Sequence, residues 1–127
     1  MRHAVALCNG RKLALDVRIC ESFGERARGL RGALPPPARY VLVINPCTAV
    51  HTFGMRYPID VVFCQADGRV LRVVTHLKPR RAAWVRRAAC VWEFRAGVTG
   101  RLGLAPGDRL TSIVSAPRTG AAPWELG

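Results

Sequence analysis

The sequence predicts a mainly β protein: a compact antiparallel sandwich or partly closed barrel, with one short helix near residues 23–31. Apolar residues recur with period two in several short runs. Two dipeptides with tight-turn chemistry, Asn9-Gly10 and Asp67-Gly68, each join a pair of such runs. One segment, "SFGERARGLRG" (22–32), breaks that period and opens with a helix cap.

The first element is a hairpin, "AVALCNGRKLALDVRIC" (4–20). Asn9-Gly10 supplies the two φ > 0 residues of a type I′ turn. Beyond it Leu13, Leu15, Val17 and Ile19 alternate with Ala14, Asp16, Arg18 and Cys20, so one face is expected to be buried. Ser22 and Glu25 then have capping-box spacing, and Gly32 is expected to end the helix at about residue 31. "ALPPPAR" (33–39) forbids further helix. "YVLVI" (40–44), closed by Asn45-Pro46, reads as a buried strand.

The second hairpin is "PIDVVFCQADGRVLRVVTHL" (58–77). Ile59, Val61 and Phe63 share one face, and Asp60 and Val62 the other. After the Asp67-Gly68 turn, Val70, Arg72, Val74 and His76 alternate with Leu71, Val73, Thr75 and Leu77. "KPRRAAWVRR" (78–87) reads as a basic loop. "ACVWEFR" (89–95) reads as a strand with Cys90, Trp92 and Phe94 on one face and Val91 and Glu93 on the other. A glycine-punctuated stretch follows, with one helical turn at 98–102, and "RLTSIV" (109–114) is the last strand. Residues 1–115 are expected to form one β domain, and the Pro- and Gly-rich residues 116–127 a loose tail.

Composition narrows the function classes. Of 127 residues, 20 are Lys or Arg and 8 Asp or Glu, a net charge of +12. Only Lys12 and Lys78 are lysines; the rest are arginine. Such a surplus favours nucleic acid, anionic lipid or an acidic protein as partner, and it also arises from scattered surface arginines with no ligand. Five cysteines without a C-x-x-C pair argue for reduced thiols and a cytoplasmic location rather than a disulfide framework. The apolar run at the N-terminus, Ala4 to Cys8, is too short for a signal peptide, and no stretch is long enough to span a membrane.

The ordered motifs carry a resemblance. Arg28-x-x-x-Gly32 within "ERARGLRGALP" is followed by "VHTFGMRYPIDVVF", "DGRVL", "WEFRAG" and "RLGLAPGDRL". Together, over about residues 23–114, they resemble the family called domain of unknown function 192, or UPF0127. That resemblance implies a jelly-roll-like β sandwich and brings no established activity. The matching positions are His51, Thr52, Gly54, Met55, Arg56, Pro58, Ile59 and Asp60, with Glu93, Gly97, Gly107 and Asp108. Many relatives carry an export signal or anchor, which this N-terminus does not resemble. Gln65 stands where relatives often have Asp.

The glycines and Pro58 are expected to serve turns and strand entry. Asp60 and Glu93 are each expected to be either a solvated strand position or, the favoured reading, a structural ion-pair partner for Arg56 or Arg28. Cys47 and His51, four residues apart, hold two parts of a nucleophile pair but show no oxyanion donor or orienting group. Cys47, His51, Cys64 and His76 match no common zinc spacing, so neither a metal nor another cofactor is expected.

The favoured reading is a small binding or accessory module rather than an enzyme. Its candidate ligand-binding residues are His51, Thr52, Met55, Arg56, Asp60 and Glu93, facing an anionic ligand or a partner protein. One alternative is nucleic-acid binding through Lys78, Arg80, Arg81, Arg86 and Arg87 around Trp84, against the plainer expectation that Trp84 folds onto the sheet. A Cys/His-dependent enzyme is the other.

Overall fold

The computed structural model of the chain describes residues 1–32 and 34–115. The tail expected to be loose, 116–127, lies outside the described residues. In chain order the elements are β1 Arg2–Cys8, β2 Arg11–Ile19, α1 Phe23–Arg28, β3 Tyr40–Ile44, β4 Ala49–His51, β5 Ile59–Cys64, β6 Val70–Leu77, β7 Ala82–Trp84, β8 Cys90–Arg95, α2 Val98–Leu102 and β9 Leu110–Val114. The protein is mainly β. Seven strands form one sheet in the order β6-β5-β8-β3-β2-β1-β9, and β4 and β7 form a separate two-stranded ribbon. The large sheet curls until Arg69 and Arg109, at the starts of its two edge strands, meet in a single bridge, but it does not close into a barrel.

Local chemistry explains the hairpins. Asn9 and Gly10 have φ of 52° and 82°, and Cys8 faces Arg11 across them, a two-residue I′ loop. At the turn of the second hairpin only Gly68 has positive φ, at 91°, and the loop is three residues long, with Gln65 and Arg69 bonded across it. Ser22 and Glu25 form the capping box as expected. The helix nevertheless ends at Arg28: Gly29, with φ of 55°, is its C-cap, not Gly32.

Three other expectations are corrected. The sheet is mixed, because β2 and β3 pair in parallel through the crossover that holds α1. The basic stretch 78–87, expected as a loop, contains β7, which pairs with β4 between Cys47 and His51. Along β6 the alternation fails, because the ladder with β5 shifts register twice. Val70 and Val73 therefore pack on one side, and Leu71, Val74 and Leu77 on the other.

The central strands are buried on both faces. Leu42, Ile44, Ile59, Val61, Phe63 and Val91 face one core, closed by Leu30, Met55, Tyr57 and the inward residues of the ribbon, Val50 and Ala83. Val41, Val43, Val62, Trp92 and Phe94 face the other, closed by Val17, Leu110 and Val98 of α2. All six residues of β5 are buried, and Phe63 alone contributes roughly 1.5–3 kcal/mol. Among the described residues no helix is long and apolar enough to cross a membrane.

Candidate functional site

Strands β5 and β8 are neighbours, with Val61 opposite Glu93 and Asp60 opposite Phe94. Paired residues share a face, so the two carboxyl groups point to opposite sides of one sheet. Both are buried, at 0% and 4% exposure. Neither meets an arginine: the ion pairs among the described residues include neither Arg28 nor Arg56. In place of the expected arginine pairs, backbone N–H groups and the Thr99 hydroxyl donate to these carboxyls, and the His76 imidazole lies 4.0 Å from Asp60.

Asp60 is saturated. His76 N–H donates to Oδ1 at 2.9 Å. The N–H groups of Gly97 and Thr99 and the Thr99 hydroxyl donate to Oδ2 at 3.0, 3.1 and 2.6 Å. The N-cap of α2 is Gly97, which has no side chain to cap the helix. Asp60 supplies that cap from another strand.

Glu93 is under-partnered. Its Oε1 accepts one bond, from Leu30 N–H at 3.0 Å. Oε2 has no protein donor among the described residues, yet it is not a sealed orphan, so it opens on a cleft. Burial pushes this carboxyl up to about 7 from 4.5, opposed by the Leu30 bond and the charge of Arg31. The approach needs Gly29: a Cβ there would lie 2.7 Å from Glu93 Oε1, and φ is already 55°. Leu30 is held from its other side as well, since the Tyr57 hydroxyl donates to its carbonyl.

The cleft measures about 160 Å³. Glu93 lies on its wall with Arg26, Arg28, Arg31, Cys47, His51 and Met55; Ile44 and Val50 supply apolar lining. One guanidinium nitrogen of Arg31 lies 3.2 and 3.0 Å from the two ring nitrogens of His51. Cys47 donates its S–H to the Ala49 carbonyl, and burial pushes the thiol up, away from the nucleophilic thiolate. Among the described residues no group of three or more His, Cys, Asp and Glu side chains is placed to hold a metal ion.

Of the six candidate residues read from sequence, His51, Met55 and Glu93 line this one cleft. Arg56 stands exposed and lies outside its lining. Asp60 faces the opposite core. Thr52 is fully buried and ties two turns together: its hydroxyl donates to the Lys78 carbonyl at 2.5 Å and accepts from Arg81 N–H at 2.9 Å. Gly29, Leu30 and Arg31 were missed as site residues. Their signal lay in "ERARGLRG", where a helix-ending glycine is followed at once by Leu and Arg.

A curled, mixed β sheet with a carboxyl-floored cleft defines the class of protein, and that class has no assigned chemistry. The chain belongs to the DUF192 family, described as an uncharacterized ACR, whose model matches residues 5–112. Two solved structures share the fold. A protein from Sinorhizobium meliloti 1021, described as a "putative transcription regulator", is 25% identical with a TM-score of 0.77, over 88% of this chain and 94% of that one. A protein of unknown function from Novosphingobium aromaticivorans DSM 12444 is 18% identical with a TM-score of 0.73, over 86% and 83%. No curated protein matches the chain.

Proposed function

We propose that the protein is a binding module whose cleft beside Glu93 takes a compact organic anion with a carboxylate or phosphate end. The observation that carries this reading is a buried carboxyl without an ion-pair partner, facing guanidinium groups across one opening. Burying that carboxyl destabilises the fold near neutral pH, and an apolar residue would fill the same wall without that cost. Arg28 and Arg31 supply forks that fit a carboxylate or phosphate. Protonated Glu93 donates to a ligand oxygen, while Ile44, Val50 and Met55 take an apolar end. A cavity of about 150 Å³ admits benzene, so this cleft accepts a group of that size.

An anion bound beside Glu93 favours its protonated form, so binding takes up a proton and weakens as pH rises past about 7. Calorimetric titration with a panel of small carboxylates and phosphomonoesters at about pH 6 and pH 8 tests the reading. At least one is expected to bind with Kd under about 1 mM, more tightly at the lower pH. Arg31→Ala should abolish that binding, and Glu93→Gln should flatten its pH dependence. If no panel member binds at either pH, or if Arg31→Ala binds as well as the natural chain, the cleft is not an anion site.

A further inference from the structure

The outward face of the β4–β7 ribbon meets the Glu93 cleft at Ala49 and His51 and carries Trp84 beside them. Val50 and Ala83 point inward and are buried, so their strand neighbours point outward. Ala49 stands opposite Trp84 and His51 opposite Ala82. Trp84 is therefore diagonal to His51 on one outer surface, about 7–8 Å away across the ladder. Phe53 follows in the next turn, its ring centroid 5.6 Å from that of His51. Trp84 and Phe53 are 66% and 54% exposed, which overturns the expectation that Trp84 folds onto the sheet.

Lys78, Arg80, Arg81, Arg86 and Arg87 flank these rings, and all five are exposed. Among the described residues none of the five has a carboxylate within ion-pair reach. The sequence holds no acid between Asp67 and Glu93. Their charge is thus left for external anions.

We propose that this ribbon binds single-stranded nucleic acid, with bases stacking on Trp84 and Phe53 and the flanking cations holding the phosphates. Separated, ring-by-ring exposure on a stiff two-stranded support suits unpaired bases, whose faces are open, better than a duplex, whose faces are stacked inside. Arginine dominates the charge, and its planar fork grips phosphate at two points. An anionic membrane surface would call for a continuous apolar wedge, and here polar groups separate the two rings. The ribbon's own pairing runs on past both ends of the ladder: Thr52 N–H donates to the Arg81 carbonyl, and Val85 N–H to the Thr48 carbonyl, at 2.8 and 2.9 Å.

The test is a fluorescence-anisotropy titration of the full chain with labelled oligo-dT and oligo-rA of about twelve nucleotides, and with the matching duplex. At about 50 mM salt, micromolar binding is expected, with the single strands favoured over the duplex. Trp84→Ala should weaken it about tenfold while leaving the melting temperature unchanged. Arg86→Ala with Arg87→Ala should lower the log–log salt slope by about 1.4. The proposal is overturned if neither oligonucleotide binds at low salt, or if Trp84→Ala binds as tightly as the natural chain. It is equally overturned if the duplex is preferred, or if phosphatidylglycerol vesicles bind and the oligonucleotides do not.

Discussion

Asp60 and Glu93 lie one residue out of register on adjacent strands, and both are buried, yet their surroundings could hardly differ more. Asp60 collects four donors from three places and caps a helix that cannot cap itself. Glu93 collects one donor and keeps an oxygen turned to a cleft. A buried carboxylate with a full set of N–H and O–H donors is an organising centre, because the fold returns all the hydrogen bonds that water took away. One with a single donor is not repaid within the fold, and that asymmetry marks the Glu93 side as the place for a ligand.

Removing each carboxyl tests that contrast. Asp60→Ala strands four donors, three at the start of α2 and one on β6, and should destabilise by about 4 kcal/mol or more in urea titration. Near-natural stability in that variant would erase the distinction between the two faces. Glu93→Gln should act in the opposite direction. The carboxyl titrates near 7 in the fold against 4.5 when free, so the native state holds its proton more tightly than the unfolded chain. Stability therefore falls as pH rises from about 4.5 to 7 and is flat beyond. The glutamine variant, which has no charge to bury, should be more stable by up to about 3 kcal/mol near pH 8 and show no gain below pH 4.5. A gain that does not change with pH would mean that the carboxyl is not the source.

Smaller effects sharpen the picture. Gly29→Ala forces a Cβ onto Glu93 Oε1 at a positive φ and should cost about 1–3 kcal/mol. In a Glu93→Ala background the same change should cost less by about 1 kcal/mol, a coupling that a double-mutant cycle reads directly. Equal costs in both backgrounds would show that the penalty is conformational alone. Trp84→Ala, at a largely exposed position, should alter unfolding free energy by less than about 0.5 kcal/mol.

How much of this was legible beforehand depended on the range of the interaction. The opposite facing of Glu93 and Trp92, or of Asp60 and Val61, follows from strand parity and was read from the letters alone. That Asp60 would find Thr99, thirty-nine residues on, and Glu93 would find Leu30, sixty-three residues back, was not. The expected arginine partners, Arg28 and Arg56, matched the two carboxyls by charge, whereas the folded chain offered backbone N–H groups and the Thr99 hydroxyl nearer at hand. His51 and Met55 were recognisable as rim residues from their crowded segment, but Thr52 in the same segment turned out to tie backbone to backbone. A polar letter beside a strand does not say whether its hydroxyl will face solvent or a carbonyl.

The sequence by itself determined the β class, the Asn9-Gly10 turn, the capping box of α1 and the position of α2, because each rests on dihedral preference or periodicity within a few residues. Tertiary structure alone decided the parallel pairing of β2 with β3, the register shifts along β6 and the ribbon that Ala49–His51 makes with Ala82–Trp84. It also decided that Gly29, Glu93, Arg31 and His51 would meet at one opening. Those outcomes depend on which distant strands close against one another. That choice is made by the summed burial of two cores, and no short window of sequence encodes it.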